Sequence, residues 1–169
     1  MKVNQYMTRS VLTISPQTEF HRAFDLMHSR RIHHLPVVDG EHVVGIVAER
    51  DLLLAAANFG SAEVPVAEIM RRAPVCVAEN AQLKQAARLL VANHIGSLPV
   101  LNARKLLVGI ITETDIFKIA AGILHARRAT KKAVKKTAGR TSKKAPQAGA
   151  SGKSKTLRKT VKASAAKKK

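Results

Sequence analysis

Apolar residues recur along the first 125 positions with two alternating periods. Phe20, Ala23, Phe24 and Met27 fall at i, i+3, i+4 and i+7, one face of a helix. Two short β-branched runs follow, Leu35–Val38 and Val43–Val47, joined through Asp39-Gly40, a strong hairpin signal. A further helix is predicted over 49–58, and a strand before the first helix, near Val11–Ile14. The same order then repeats. Leu83, Ala86, Ala87 and Leu90 form the helix face, and Val75–Val77, Leu98–Leu101 and Leu106–Ile111 are the predicted strands. The second hairpin turns through Asn102-Ala103-Arg104-Lys105, and a closing helix is predicted over 113–124.

The repetition can be read residue by residue. At an offset of 63, Tyr6-Met7 falls on Ile69-Met70 and Leu35-Pro36-Val37 on Leu98-Pro99-Val100. One extra residue in the second hairpin raises the offset to 64, which places Gly45 on Gly109 and Asp51 on Asp115. Two copies at this spacing make a tandem unit, not a solenoid. The expected fold is mixed α/β (α+β), two β-α-β-β-α repeats over 1–62 and 63–125, packed with pseudo-two-fold symmetry because a unit of about 60 residues buries too little surface alone.

The carrying residues are Ile32-His33-His34-Leu35-Pro36-Val37-Val38-Asp39 with Gly45-Ile46-Val47-Ala48-Glu49-Arg50-Asp51, and Ile95-Gly96-Ser97-Leu98-Pro99-Val100 with Gly109-Ile110-Ile111-Thr112-Glu113-Thr114-Asp115. In this ordered set the chain resembles the CBS domain family in its tandem (Bateman) arrangement, over roughly residues 1–124. The resemblance implies binding of an adenosine-containing ligand (AMP, ADP, ATP or S-adenosylmethionine) between the copies, signalling to a partner, and a homodimer. It also implies that the Asp of Gly-x-x-Thr-x-x-Asp accepts hydrogen bonds from the ribose hydroxyls. A carboxylate suits a vicinal diol because it offers two acceptor oxygens, and charge-assisted bonds are the stronger kind.

The second copy keeps that pattern whole, as Gly109, Thr112 and Asp115, whereas the first has Ala48 in place of the Thr. By the same resemblance, His33, His34 and Arg50 face the Asp115 site, and uncharged Gly96, Ser97 and Thr114 face the Asp51 site. The expectation is therefore asymmetric: Thr112, Thr114 and Asp115 with His33, His34 and Arg50 hold a nucleotide phosphate. The Asp51 site is emptier, or takes a neutral or cationic adenosyl ligand. A structural alternative stands beside this one, because Thr112-x-x-Asp115 also resembles a helix capping box.

Charge divides the chain. Of 30 Lys and Arg and 11 Asp and Glu, residues 1–125 hold 13 cations and every acid, while 126–169 hold 17 cations and no acid. That tail is read as a disordered Lys/Ala-rich polycation, because like charges repel and little apolar surface offsets ordering entropy. Its composition is similar to linker-histone tails. Arg127, Arg128, Lys131, Lys132, Lys135, Lys136, Lys143 and Lys144 are its candidate nucleic-acid contacts, gaining affinity by counterion release without reading sequence.

Other chemistry finds little support. The lone Cys76 sits in an apolar run and is expected in the core of a protein from a reducing compartment. Adjacent His33 and His34 point to opposite faces of a strand, so no metal is expected. Lacking a nucleophile–base pair, the chain is expected to be no enzyme and to need no cofactor beyond a regulatory nucleotide. With no long apolar stretch and no secretory leader, a cytoplasmic protein without membrane contact is expected, with nucleoid association an open alternative. Two rivals remain: an architectural DNA-binding protein whose CBS pair only dimerises, and a regulatory subunit of an enzyme or transporter.

Overall fold

The computed structural model describes residues 1–126. Helix α1 (Phe20–Arg30) and its counterpart α3 (Leu83–Asn93) bury the faces their periodicity predicts: Phe20, Ala23 and Met27 in one, Leu83, Ala86 and Leu90 in the other. Both end without glycine. Arg31 and His94 take the left-handed conformation at φ 52° and 51°, and their N–H groups close the last turn.

Each helix leads into an antiparallel hairpin. Strand β1 (His34–Asp39) pairs with β2 (His42–Ala48), with a bulge between Val37 and Val38. Gly40 supplies the positive φ of 57° that the tight turn demands. Strand β3 (Arg71–Arg72) adds to the far side of β2, completing a three-stranded sheet. The second sheet comprises β4 (Val77–Ala78), β5 (Ser97–Leu101) and β6 (Leu107–Thr112), with a bulge between Val100 and Leu101. Its turn lacks glycine. Asn102 Oδ1 accepts the N–H groups of Arg104 and Leu106 at 2.9 and 3.0 Å, and Lys105 takes φ 64°. Helices α2 (Glu49–Phe59) and α4 (Glu113–Ala120) follow the hairpins.

The strand expected over Val75–Val77 shifts to Val77–Ala78, and two other expected elements contract. The strand over 11–14 reduces to a single bridge at Ile14, opposite Val37, because Leu12 and Thr13 face solvent and only Ile14 enters the core. The last helix stops at Ala120 rather than 124, as Gly122 turns the chain at φ 69°. Leu124 nevertheless packs against the second core.

The packed halves do not coincide with the sequence repeats. Val3, Tyr6 and Met7 join Val77, Leu83, Leu98 and Ile111 in the second core, while Val66, Ile69 and Met70 join the first, beside Phe20, Leu35 and Leu52. Each repeat thus lends its opening segment to the other. Thr8 bridges Ile110 as Arg71 bridges Ile46, and Val3 N–H and Asn4 N–H bond Ala81 O and Glu79 O at 3.0 and 2.9 Å. Gly45 and Gly109 make this exchange possible. A methyl group at either would run into the thioether of Met70 or Met7. The expected tail contacts, from Arg127 to Lys144, lie outside the described residues.

Candidate functional site

Helices α2 and α4 begin where β2 and β6 end, and the same backbone bond fixes the start of each. Glu49 N–H donates to His33 O and Glu113 N–H to Gly96 O, each at 3.0 Å. The acids three residues into each motif then diverge. Asp115 Oδ2 accepts from Thr112 N–H at 2.9 Å and from Thr112 Oγ1 at 2.8 Å, and Thr112 Oγ1 in turn accepts Asp115 N–H at 3.2 Å. That is a closed capping box. Asp51 Oδ2 accepts only Ala48 N–H, at 3.1 Å, because Ala48 has no hydroxyl to offer. Asp51 therefore keeps more acceptor capacity for a ligand.

A cavity of about 560 Å³ opens between the two halves beside Asp51. Ile46, Val75, Leu90, Ile95, Ile116 and Phe117 give it apolar walls. Small residues, Ala48, Ala87, Gly96 and Ser97, leave it room, and Arg50, Arg71, His34 and His94 bring cationic or titratable groups. Glu113 and Asp51 supply its acids. A volume of this size, apolar with a few convergent polar groups, suits a small-molecule site.

His34 lies close over Gly96, whose absent side chain makes room for the imidazole. Burial pushes the His34 pKa below its ordinary value, and neighbouring His33 adds to the shift, while Glu113 and Asp51 oppose it. The ring is thus neutral at pH 7 and titrates on the acid side of 6.5. His33 points elsewhere, with Nδ1 paired to Glu49 Oε2 at 2.7 Å.

Of the residues expected to bind ligand, the structure brings His34, Arg50 and Asp51 to one cavity. Thr112, Thr114, Asp115 and His33 do not line it. The expected allocation, with His34 and Arg50 serving Asp115, differs from this geometry because both side chains border the Asp51 cleft. Sequence reasoning missed Arg71, His94, Phe117 and the cleft-facing role of Glu113. Arg71 stands where the first copy has Thr8, and only the exchange of opening segments carries it to the cleft. Cys76 is half-buried rather than sealed in the core. Its Sγ donates to Pro74 O at 3.3 Å, and burial pushes the thiol pKa up, against a smaller opposing effect of Lys105. No group of three or more metal-ligating side chains gathers among the described residues. Nor is any described helix long and apolar enough to cross a membrane.

Residues 3–58 and 66–122 each match the CBS domain. The chain belongs to the CBS domain family. This CBS pair is 31% identical over 135 residues to a CBS domain-containing protein of Dictyostelium discoideum, covering 73% of this chain and 93% of that one. It is 39% identical over 108 residues to inosine-5'-monophosphate dehydrogenase of Thermoplasma acidophilum, covering 64% of this chain but only 21% of the enzyme. Among solved structures, the CBS pair of protein MJ0100 in complex with 5'-methylthioadenosine and S-adenosyl-L-methionine superposes with a TM-score of 0.67 at 25% identity, over 72% of this chain and 97% of that one. CBSX2 of Arabidopsis thaliana in complex with AMP gives 0.63 at 29% identity, over 72% and 97%. CBS pairs of this fold thus bind adenosine-containing ligands in those relatives.

Proposed function

We propose that this CBS pair is a regulatory sensor, not an enzyme, and that it binds a phosphorylated adenosine ligand in the cleft beside Asp51. One observation carries the reading: a carboxylate with free acceptor capacity lines an apolar-walled cavity of about 560 Å³ that also holds Arg50 and Arg71. The carboxylate suits ribose hydroxyls, the apolar wall a purine, and the guanidiniums a phosphate. The two arginines favour an anionic nucleotide over a cationic sulfonium. Thr112 and Asp115 then cap helix α4, while exposed Thr114 and the His33–Glu49 pair lie outside this cleft.

Calorimetric titration with AMP, ATP and S-adenosylmethionine tests this. A nucleotide should bind, and Asp51→Ala should weaken it about 10- to 100-fold, the worth of one or two hydrogen bonds to a charged group. Wild-type affinity in that variant, or no binding by any of the three ligands, would reject the reading.

A second part of the proposal concerns residues 126–169, whose 17 cations and lack of acids suit non-specific binding to duplex nucleic acid. A homodimer belongs to the same reading, supported by exposed Leu53 and Leu54 on α2 and Phe117 on α4.

A further inference from the structure

The imidazole of His34 belongs to the first repeat but lies over Gly96 of the second, so close that a methyl group on Gly96 would run into it. The chain ahead of β5 thus gives up a side chain where a residue of the other repeat borders the cleft. The two equivalent glutamates differ accordingly. Glu49 is paired to the His33 imidazole of its own repeat at 2.7 Å. Glu113 finds Gly96 where Glu49 finds His33, and its carboxylate borders the same spot as the His34 ring. The groups around that ring are of mixed sign. Asp51 and Glu113 are acids, Arg50, Arg71 and His94 share the cavity lining, and His33 adjoins it in the chain. In the empty cleft burial outweighs the two acids, and the ring stays neutral. A phosphate group entering beside Arg50 and Arg71 would bring about two negative charges into this confined space. Partly buried charges are screened little, and a nearby opposite charge favours the protonated ring.

We infer that the cleft takes up its phosphorylated ligand together with a proton, which settles on the His34 imidazole and makes it a third cation beside Arg50 and Arg71. The inference rests on the ligand-binding reading above and adds a regulation to it: occupancy rises as the pH falls. A neutral imidazole offers a phosphate one N–H donor and one repelling lone pair, whereas the protonated ring offers two donors. The proton comes from solvent and returns there when the ligand leaves. Because His34 reaches the cleft from the opposite repeat to Glu113, the charged ring and its ligand also tie the two halves together.

Titration calorimetry of the full chain with AMP at pH 7, in two buffers of different ionisation enthalpy, counts the protons taken up. His34→Gln keeps a polar side chain that cannot titrate, and any proton exchanged by the AMP phosphate itself is common to both proteins. The unmodified chain should take up about 0.3–1 proton more per AMP than the variant, and its affinity should rise about 3- to 10-fold more between pH 8 and 6.5. The excess should survive His94→Gln, whatever that change does to affinity. AMP binding with equal proton uptake in the unmodified chain and His34→Gln, or loss of the excess in His94→Gln alone, would overturn the inference while leaving the ligand reading intact. Absence of AMP binding at every pH would remove both. Should His34→Gln fail to fold, the pH midpoint of the His34 Cε1–H resonance in the unmodified chain decides instead. It should move up on adding AMP, and a midpoint that stays or falls would overturn the inference.

Discussion

Exchanging a threonine for an alanine three residues ahead of a carboxylate changes what that carboxylate is free to do. Thr112 closes a capping box around Asp115, and Ala48 leaves Asp51 with one backbone partner. The departure from the family pattern, which in the sequence looks like a lost ligand group, leaves Asp51 in the folded chain with one side-chain partner fewer than Asp115. His34 shows a second single-residue effect. Its pKa is lowered mainly by burial, so well above pH 6.5 the ring is neutral in both the folded and the unfolded chain. Below 6.5 the unfolded chain takes up the proton more readily, so stability is lost as the pH falls from 6.5 toward the folded value. Urea midpoints measured from pH 7.5 downward should fall through this window, and His34→Gln should flatten the fall. An unchanged pH profile in the variant would show that His34 does not supply this dependence.

At the scale of elements, the opening segment of each repeat belongs to the other repeat's core. Met7 is 1% exposed and sits over Gly109, in a half whose buried core residues outside the opening segment begin at Val77. Met7→Ala should therefore cost about 2–5 kcal/mol in chemical denaturation, the usual range for truncating a buried Met. An effect below about 1 kcal/mol, within the usual tolerance for a volume-conserving swap, would mean that the segment is dispensable to the second core. The helices and hairpins themselves were legible in the sequence, because their apolar spacing is dense. Phe20, Ala23 and Met27 are buried as their period requires, and so are Leu83, Ala86 and Leu90. The strand expected over 11–14 was not legible in the same way. A β-branched run can also lie on the surface, and only Ile14 finds a backbone partner there.

Across the whole molecule, charge and chemistry are segregated. The CBS pair is nearly neutral and holds the cleft, while residues 126–169 carry 17 of the 30 cations. If that segment neutralises about 6–10 phosphates, its affinity for duplex DNA should drop about 10³- to 10⁵-fold between 50 and 200 mM salt. Gel-shift titrations of the full chain should show that steep slope, and removal of residues 126–169 should abolish retention. Equal retention by the truncated chain would place any DNA contact on the CBS pair instead. The cleft should respond otherwise, because Asp51 and the apolar walls act at short range and are less screened than an exposed polycation.

The repeat, its helix faces, its hairpins and the separation of charge follow from the amino-acid sequence alone, because each depends on residues close together along the chain. Which acid faces an open cleft does not. Asp51 and Asp115 occupy equivalent motif positions; the exchange of Thr112 for Ala48 between them is local, but the cleft beside Asp51 arises from groups brought together only by packing. Arg71 arrives with an exchanged segment, and His34 crosses to the space above Gly96. Local spacing fixes elements, but a cavity is what side chains from distant elements fail to fill, and that is settled only when they meet.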